Sequence, residues 1–341
     1  MSTRSALADA PRRHKLRAAL AVVVLALVVG AGVASANYSP PELEAGTVES
    51  EANGTTYVAV QGFHFDGQGN KKKPARLVAT DERAQAKWVY DGGQSISWFY
   101  DVDPLPNGNL LAVNTKPGKT LVYELDPETK ERVWTETLNI TDTHDVDLIN
   151  DDELLVANLR NSEGSTSDEG IFIYNRTTGE RTWEWNFSDH YPEDTDAGIS
   201  NTEDWTHVND VDKIAPGEYL VSPRNFDQVI VVNRSTKNVT MQLGSDGNHE
   251  IMDEQHNPTY LESENGTPTI LVADSENDRV VEYACESRHA NGTCDWNLVW
   301  EVGNGQFDWP RDADRLPNGH TLVVDTQNHR VVEVTPSGEI V

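Results

Sequence analysis

The chain has 341 residues, enough for one large domain or two ordinary ones, and carries 56 acidic against 27 basic residues, for a net charge of −29. This charge argues against nucleic acid as a partner, because nucleic-acid-binding surfaces are basic. Nine Trp, ten Tyr and regular apolar runs argue against a disordered chain. The composition indicates a folded protein with a carboxylate-rich surface, as in salt-loving organisms, where a Debye length of about 3 Å at molar salt makes the self-repulsion tolerable.

The first 36 residues form a separate piece. A basic head precedes the uncharged run 18–36, which closes on an Ala-Ser-Ala sequence. This order is typical of a secretory signal, and the run is also nearly long enough to serve as an uncleaved membrane anchor. Both interpretations place the rest of the chain outside the cytoplasm. We therefore expect an extracellular or cell-surface protein, either secreted or anchored through residues 18–36.

Two further patterns agree with export. The only cysteines, Cys285 and Cys294, flank a short polar loop, and in an oxidising compartment we expect them to form a structural disulfide. A metal site is the alternative, but the usual close spacing and partner ligands are absent. Sequences that accept N-linked glycans predict a glycoprotein and occur at Asn37, Asn53, Asn139, Asn175, Asn186, Asn233, Asn238, Asn265 and Asn291.

Residues 37–55 are polar and rich in Glu, Ser, Pro and Gly, which is typical of a linker. From residue 56 to residue 341, short β-rich runs alternate with turns, and no segment shows a sustained helical period. The clearest predicted strands are 110–113, 121–125, 154–157, 171–174, 219–222, 229–232, 270–273, 280–283, 322–324 and 331–334.

One unit recurs along this region. Its first strand begins with a changing residue, here called the variable slot, which is followed by Asp-x-Asp in four of five copies. A turn such as Pro-Asn-Gly, two more strands and a Trp-containing fourth strand complete each unit. Such units, spaced by about 45 to 65 residues, predict a β-propeller, because one blade cannot bury both of its faces alone. The slot residues are Tyr100, His144, Asn209, His256 and Arg311.

The repeat predicts six four-stranded blades. An earlier unit, 57–91, contains Trp88 but lacks its own first strand, and the last unit stops at Val341, where its Trp strand should begin. We therefore expect an all-β six-bladed propeller over residues 56–341, with the sixth blade truncated in this sequence. The Trp residues of the fourth strands are interpreted as core between blades.

The first strand of each blade lines the channel of a propeller, so the slot residues should point towards one axis. Strand alternation places His207 on the same face as Asn209. Arg224, at the end of the second strand of that blade, should lie at the same end. Arginine binds sulfate, phosphate or carboxylate, and neutral histidine can be a nucleophile, a base or a metal ligand. Three His could hold Zn²⁺, but the neighbouring Arg favours an oxyanion, so we expect neither metal nor cofactor.

Three motifs carry a resemblance to a known family: Asp-Trp-Thr-His207-Val-Asn209, Ser-Pro-Arg224-Asn and Glu-Gln-His256-Asn. They resemble the bacterial arylsulfate sulfotransferases over roughly residues 95–335. Those enzymes are six-bladed propellers that act outside the cytoplasm. They move a sulfuryl group from a phenolic sulfate to another phenol through a sulfohistidine, without a nucleotide sulfate donor. With the acidic composition, the resemblance predicts a haloarchaeal-like, exported member.

The resemblance implies a role for each residue that matches a motif. His256 would be the nucleophile, while His207 and Arg224 would grip the sulfuryl oxygens. His144 would be a further sulfate-binding residue. Asn209 belongs to the expected substrate-binding set, in which Tyr100 and Arg311 are expected to line an acceptor entrance. The expected partners are small aryl sulfates and phenols.

Two alternatives remain at the level of sequence. Asp274-Ser-Glu-Asn-Asp-Arg279 and Asp325-Thr-Gln-Asn-His-Arg330 resemble NHL-type repeats, which favours a non-catalytic surface propeller that binds an anionic ligand or a protein. A metal-dependent lyase or hydrolase that uses the three histidines is the other alternative.

Overall fold

The fold was analysed in a computed structural model, which describes residues 54–62, 75–93, 96–161, 169–195, 204–262, 266–289, 293–303 and 305–341. Within these residues the regular structure is β, apart from short 3₁₀ turns at Phe187–Asp189 and Arg224–Phe226. None of the described segments contains a helix of the length and apolarity that a bilayer crossing requires. The predicted signal or anchor and most of the predicted linker lie outside the described residues.

The described strands form six antiparallel blades of three or four strands, which confirms the predicted propeller. In each blade the strands pair in chain order, from the channel outwards. Blade 1 comprises β1 (Thr56–Val60), β2 (Arg76–Thr80) and β3 (Ala86–Tyr90); blade 2, β4 (Trp98–Pro104), β5 (Leu110–Lys116), β6 (Lys119–Leu125) and β7 (Arg132–Leu138); a two-stranded ladder, β8 (Ile140–Asp142) and β11 (Arg160–Asn161); blade 3, β9 (Val146–Leu148), β10 (Glu153–Asn158), β12 (Gly170–Asn175) and β13 (Glu180–Asn186); blade 4, β14 (Val208–Ala215), β15 (Glu218–Pro223), β16 (Gln228–Asn233) and β17 (Val239–Gly244); blade 5, β18 (His256–Glu262), β19 (Pro268–Asp274), β20 (Arg279–Arg288) and β21 (Cys294–Val302); blade 6, β22 (Pro310–Arg315), β23 (Thr321–Asp325) and β24 (Arg330–Val334).

The first and last blades each have three described strands. The described strands of blade 1 are β1, β2 and β3. In blade 6 a turn follows β24, and Ile340 then forms a single antiparallel bridge with Val334. This bridge lies where a fourth strand would begin.

The core lies between neighbouring blades, as the periodic apolar residues require. The largest cluster joins blade 3 residues such as Ile173 and Trp185 to blade 4 residues such as Val211 and Val221, all with 2 % or less of their surface exposed. Trp185 also reaches across this interface, where its Nε1 donates to the Lys237 carbonyl oxygen over 2.9 Å. The tryptophans that the sequence assigned to the core between blades are half-buried and pack against these clusters, whereas the neighbouring Trp185 is fully buried; they are Trp88, Trp134, Trp183 and Trp300.

The two NHL-like segments are tight turns between the second and third strands of blades 5 and 6. In the first, the fully buried Asp274 accepts hydrogen bonds from Asn277 and from Arg279 Nε, the latter at 2.6 Å. In the second, Asp325 accepts from Arg330 Nε at 2.7 Å in the same arrangement. Because the polar groups of each turn hydrogen-bond to one another, these segments have a structural role and stabilise the turns.

The predicted disulfide is confirmed. Cys285 and Cys294 are bonded, with their Cα atoms 5.4 Å apart, near the tip of the β20–β21 hairpin. Cys285 is buried, so the bond joins the outermost strand of blade 5 to the apolar interior of that blade.

Replacement of Trp185 tests the interpretation of the blade interface. Trp185→Ala should lower the free energy of unfolding by about 3–5 kcal/mol, because it removes a fully buried ring and opens a cavity. Trp185→Phe retains the ring volume in part and loses the hydrogen bond, so its loss should be smaller. Denaturant titration of the full chain measures both. Val133→Ala, on an outer strand with 59 % exposure, is the control and should change stability by less than about 0.5 kcal/mol.

Candidate active site

Backbone irregularities bring the slot residues to the channel. In blades 2, 4 and 6 the pairing of the first two strands shifts register at Tyr100, Asn209 and Arg311, respectively. In blade 5 the shift follows His256. A bulge adds one residue to a strand and re-aims the side chains around it. The slot residue and the Asp after it can therefore face the axis together, which plain strand alternation would forbid.

A second ring of residues lies two positions before the slots. Three of its members have left-handed backbone: His207 with φ 45°, Glu254 with φ 46° and Trp309 with φ 56°. Left-handed backbone is strained for non-glycine residues and concentrates at functional sites. His207 precedes β14, which begins at Val208. A turned backbone, and not the strand alternation that the sequence suggested, therefore directs His207 towards the site.

Three aromatic rings from consecutive blades form one wall of the site. Tyr100 stacks on His144, with ring centroids 4.1 Å apart and planes inclined by 24°. His207 meets His144 edge to face at 4.9 Å. Trp98 contacts the other side of Tyr100 at 4.9 Å. Blades 2, 3 and 4 therefore contribute to a single surface.

Carboxylates fix two members of this wall. The Tyr100 hydroxyl donates to Asp142 Oδ1 over 2.8 Å. Asp204 Oδ2 lies 2.7 Å from His207 Nδ1. Because a carboxylate accepts, Nδ1 carries the proton, and Nε2 is the ring nitrogen available to a ligand.

His256 is completely buried and its protonation is set by two acceptors. Nδ1 lies 3.1 Å from the Glu254 carbonyl oxygen and 2.8 Å from Ser275 Oγ. Ser275 donates its own proton to the Pro310 carbonyl over 2.6 Å, so it accepts from His256. Nδ1 is therefore the protonated nitrogen. Nε2 has no hydrogen-bond partner in the described part of the chain and presents its lone pair.

Two arginines face these histidines. Arg224, at the start of its 3₁₀ turn, directs Nε at Asn225 Oδ1 over 3.0 Å and lies 3.4 Å from Glu254 Oε2. Arg311 places its guanidinium 5.1 Å from the centre of the Trp309 ring. Among the described residues Arg311 has no hydrogen-bond or ion-pair partner, so its charge is uncompensated by a direct contact.

Burial and these cations keep the histidines neutral. Burial lowers the pKa of His256 well below its usual value, and the charges of Arg311 and Arg224 add to the effect. Burial likewise lowers the pKa of His144 and of His207. Burial and the Arg224 charge lower the pKa of Arg311 to about 10, so this side chain stays protonated at neutral pH. The site thus combines neutral imidazoles with two guanidinium ions, a combination that suits an anion.

The structure brings all seven sequence-predicted site residues to one end of the channel. Asn209 donates to the Gln255 carbonyl oxygen over 2.8 Å and so supports the residue before His256, while its own Oδ1 is buried without a partner. Arg311, which was expected to line an acceptor entrance with Tyr100, interacts electrostatically with both Tyr100 and His256.

Sequence reasoning missed the residues that orient this cluster. Asp142, Glu254, Trp309 and Trp98 each contact a slot residue or Arg224, and each lies two positions before a slot. The same offset had already identified His207, so applying it to every repeat would have found them. Ser275 has no such signal, because it follows the second strand of blade 5.

The arylsulfotransferase (ASST) family model matches residues 47–310. The chain belongs to this family. The matched range contains every central residue except Arg311, which directly follows it. No curated protein matches the chain significantly.

Solved structures resemble the chain in fold. A protein of unknown function from Bacteroides caccae is 15 % identical, with a TM-score of 0.54, over 84 % of this chain and 92 % of that one. An auxiliary nutrient binding protein from Bacteroides thetaiotaomicron VPI-5482 is 12 % identical, with a TM-score of 0.49, over 82 % of this chain and 75 % of the other. At 15 % identity, the likeness to the Bacteroides caccae protein shows similarity of fold alone.

The depressed pKa of His256 can be measured directly. In a ¹⁵N NMR titration of the full chain, the His256 ring should still be neutral at pH 6.5, where an unperturbed histidine is about half protonated. Arg311→Ala should raise the pKa of His256, because it removes the largest opposing charge, whereas Arg234→Ala, on the far side of blade 4, should not. A His256 ring that titrates at or above pH 6.5 would contradict the described environment.

Proposed function

We propose that this protein is an exported aryl sulfotransferase that moves a sulfuryl group from a phenolic sulfate ester to a phenol acceptor by way of a sulfohistidine at His256. Membership of the arylsulfotransferase family supports the reaction class. The disulfide between Cys285 and Cys294 and the predicted signal or anchor support a place outside the cytoplasm.

The protonation of His256 carries the mechanistic part of the proposal. Two acceptors hold the proton on Nδ1, and Nε2 keeps a lone pair that meets no protein group. In the donor half-reaction this lone pair attacks sulfur, and the bond between sulfur and the phenolic oxygen breaks. The sulfated ring becomes cationic, and the Glu254 carbonyl and Ser275 hydroxyl that accept from Nδ1 stabilise this charge.

The cations around His256 oppose its protonation and favour the transferring group. Arg224 and Arg311 are fixed before the substrate arrives, so no reorganisation is needed when negative charge builds on the sulfuryl oxygens and on the leaving phenolate. The same charges lower the pKa of His256. A single electrostatic feature therefore keeps the nucleophile neutral and stabilises the transition state.

His207 can carry the proton between the two half-reactions. Asp204 accepts from Nδ1, and Nε2 forms no hydrogen bond with any described residue. As the acceptor phenol attacks sulfur and the bond from sulfur to His256 breaks, Nε2 of His207 takes the phenolic proton. Asp204 stabilises the resulting imidazolium, which returns the proton to the phenolate oxygen released from the next donor.

Removal of the nucleophile tests the covalent step. Wild-type protein mixed with an excess of an aryl sulfate and no acceptor should release a burst of one phenol per protein and gain the mass of one SO₃ group. His256→Ala should show neither the burst nor the mass gain, because the substitution removes the Nε2 lone pair that would attack sulfur.

The matched control is His329→Ala, in an exposed turn, which should behave as wild type. Normal turnover by His256→Ala would falsify the proposed nucleophile. Saturable binding of the aryl sulfate with no turnover by wild-type protein would instead support the non-catalytic propeller that the NHL-like repeats suggested.

A second substitution tests the anion contacts. Arg224→Lys keeps a positive charge but loses the planar fork of donors, so kcat/KM for an aryl sulfate should fall by roughly 10²–10³, the effect of losing one fixed oxyanion donor. Steady-state kinetics measure this loss. Arg234→Lys, which alters a salt bridge to Glu153 away from the site, should leave kcat/KM unchanged, and an equal loss in both variants would contradict the role of Arg224.

A further inference from the structure

A column of carboxylates continues along the channel from the site. It is formed by the Asp-x-Asp that follows the slot in blades 2, 3, 4 and 6. Burial raises the pKa of all eight carboxyl groups, and repulsion by other members of the column adds to this for six of them, with a pKa of about 7 for Asp212. Their members repel one another across blades, so they share one axis. The column consists of Asp101, Asp103, Asp145, Asp147, Asp210, Asp212, Asp312 and Asp314.

Three of these carboxylates converge. One oxygen each from Asp101, Asp103 and Asp145 lies within 4.8 Å of the other two. Two oxygens that share a Ca²⁺ ion at 2.3–2.6 Å are at most about 5 Å apart. The spacing therefore suits a cation between blades 2 and 3, directly after the slot residues Tyr100 and His144.

A fourth carboxylate of the column has an oxygen without a hydrogen-bond partner among the described residues. Asp210 has only 6 % of its surface exposed, and its Oδ2 forms no hydrogen bond with any described residue. Its charge is the strongest one acting on Asp145, which places it next to the converging group. A buried carboxylate oxygen without a donor is costly, and a bound cation removes this cost.

The protein offers little of its own charge to neutralise the column. No Lys or Arg among the described residues forms a salt bridge with any of the eight carboxylates. The Lys213 ammonium group, whose charge lowers the pKa of Asp147, donates its hydrogen bond to the Ile149 carbonyl. Protons or a cation must therefore balance the column, and the convergence of three oxygens on one point favours a cation.

We propose that the channel binds one hard divalent cation, with Ca²⁺ as the best fit, through Asp101, Asp103 and Asp145, with Asp210 facing it from blade 4. Carboxylate oxygens are the ligands that such cations prefer, and the column supplies the excess negative charge. The ion would fix β4, which carries Tyr100, and the segment before β9 that carries His144, so its role would be to position this wall of the site. This proposal does not depend on the sulfotransferase activity.

Calcium binding by the full chain tests the proposal. After removal of divalent ions with a chelator, calorimetric titration with Ca²⁺ in molar NaCl should show one site per chain, and Ca²⁺ should raise the melting temperature. Asp145→Asn, which preserves the side-chain shape and the acceptor for the Val211 N–H, should weaken Ca²⁺ binding by on the order of 10-fold or more. Asp103→Asn should do the same.

The control variant is Asp253→Asn. Asp253 lies with the buried Asp227 and the exposed His249 in a second group whose ligand atoms are equally close. This variant should bind Ca²⁺ at the channel as wild type does. Loss of binding in Asp253→Asn alone, or equal Ca²⁺ affinity in wild type and both channel variants, would overturn the assignment.

Two further outcomes would also overturn it. In the first, neither Ca²⁺ nor Mg²⁺ binds or changes the melting temperature, and stability instead rises as pH falls. This would show that protons neutralise the column. The other is stabilisation by monovalent cations alone.

If both channel variants fail to fold, the test uses wild-type protein and Tb³⁺, a luminescent substitute for Ca²⁺. Trp98 and Tyr100 should sensitise the Tb³⁺ emission, with one ion bound per chain. An absence of sensitised emission would reject the site.

Discussion

Blades 2 to 6 each present their first strand to the same axis, so a residue repeated in these blades meets its own copies there. That constraint explains most of what is unusual in the molecule. The Asp-x-Asp that follows four of the five slots becomes a column of eight carboxylates in which burial and repulsion raise the pKa values. The changing slot instead gathers histidine, tyrosine, asparagine and arginine at one end. The repeat thus provides both the anionic column and, where it varies, the cationic site.

The chemistry of the site follows from how its polar atoms are paired. His256 could act as nucleophile, base or ligand in principle, and its two acceptors on Nδ1 reduce the choice by leaving only the Nε2 lone pair. His207 has the same tautomer, but its Nδ1 donates to the Asp204 carboxylate, whereas Nδ1 of His256 donates to a carbonyl and a hydroxyl. An uncharged acceptor pair suits a nitrogen that becomes cationic on sulfation, whereas a carboxylate suits one that gains and returns a proton.

Much of the fold and of the site could be predicted from the sequence, and the limits have a physical origin. The repeat predicted six blades because apolar and turn residues recur with the period of the blade. The repeat also identified the slot residues, because equivalent positions of successive blades must meet at the channel axis. It did not reveal that Tyr100, Asn209 and Arg311 lie at bulges, since a bulge depends on pairing with a neighbouring strand. From strand alternation, the sequence placed His207 on the same face as Asn209, whereas a left-handed backbone ahead of β14 directs its side chain towards the site.

The sequence by itself determined the fold class, the disulfide pair and the set of residues that could form an anion site, because these depend on local patterns and on a repeat. Only the tertiary structure decided which nitrogen of His256 is free, that the Arg311 charge acts on His256, and that Asp101, Asp103 and Asp145 converge. Those properties are distances between atoms from different blades. Residues far apart in the chain set them, through the closing of strands around an axis, and no local pattern encodes them.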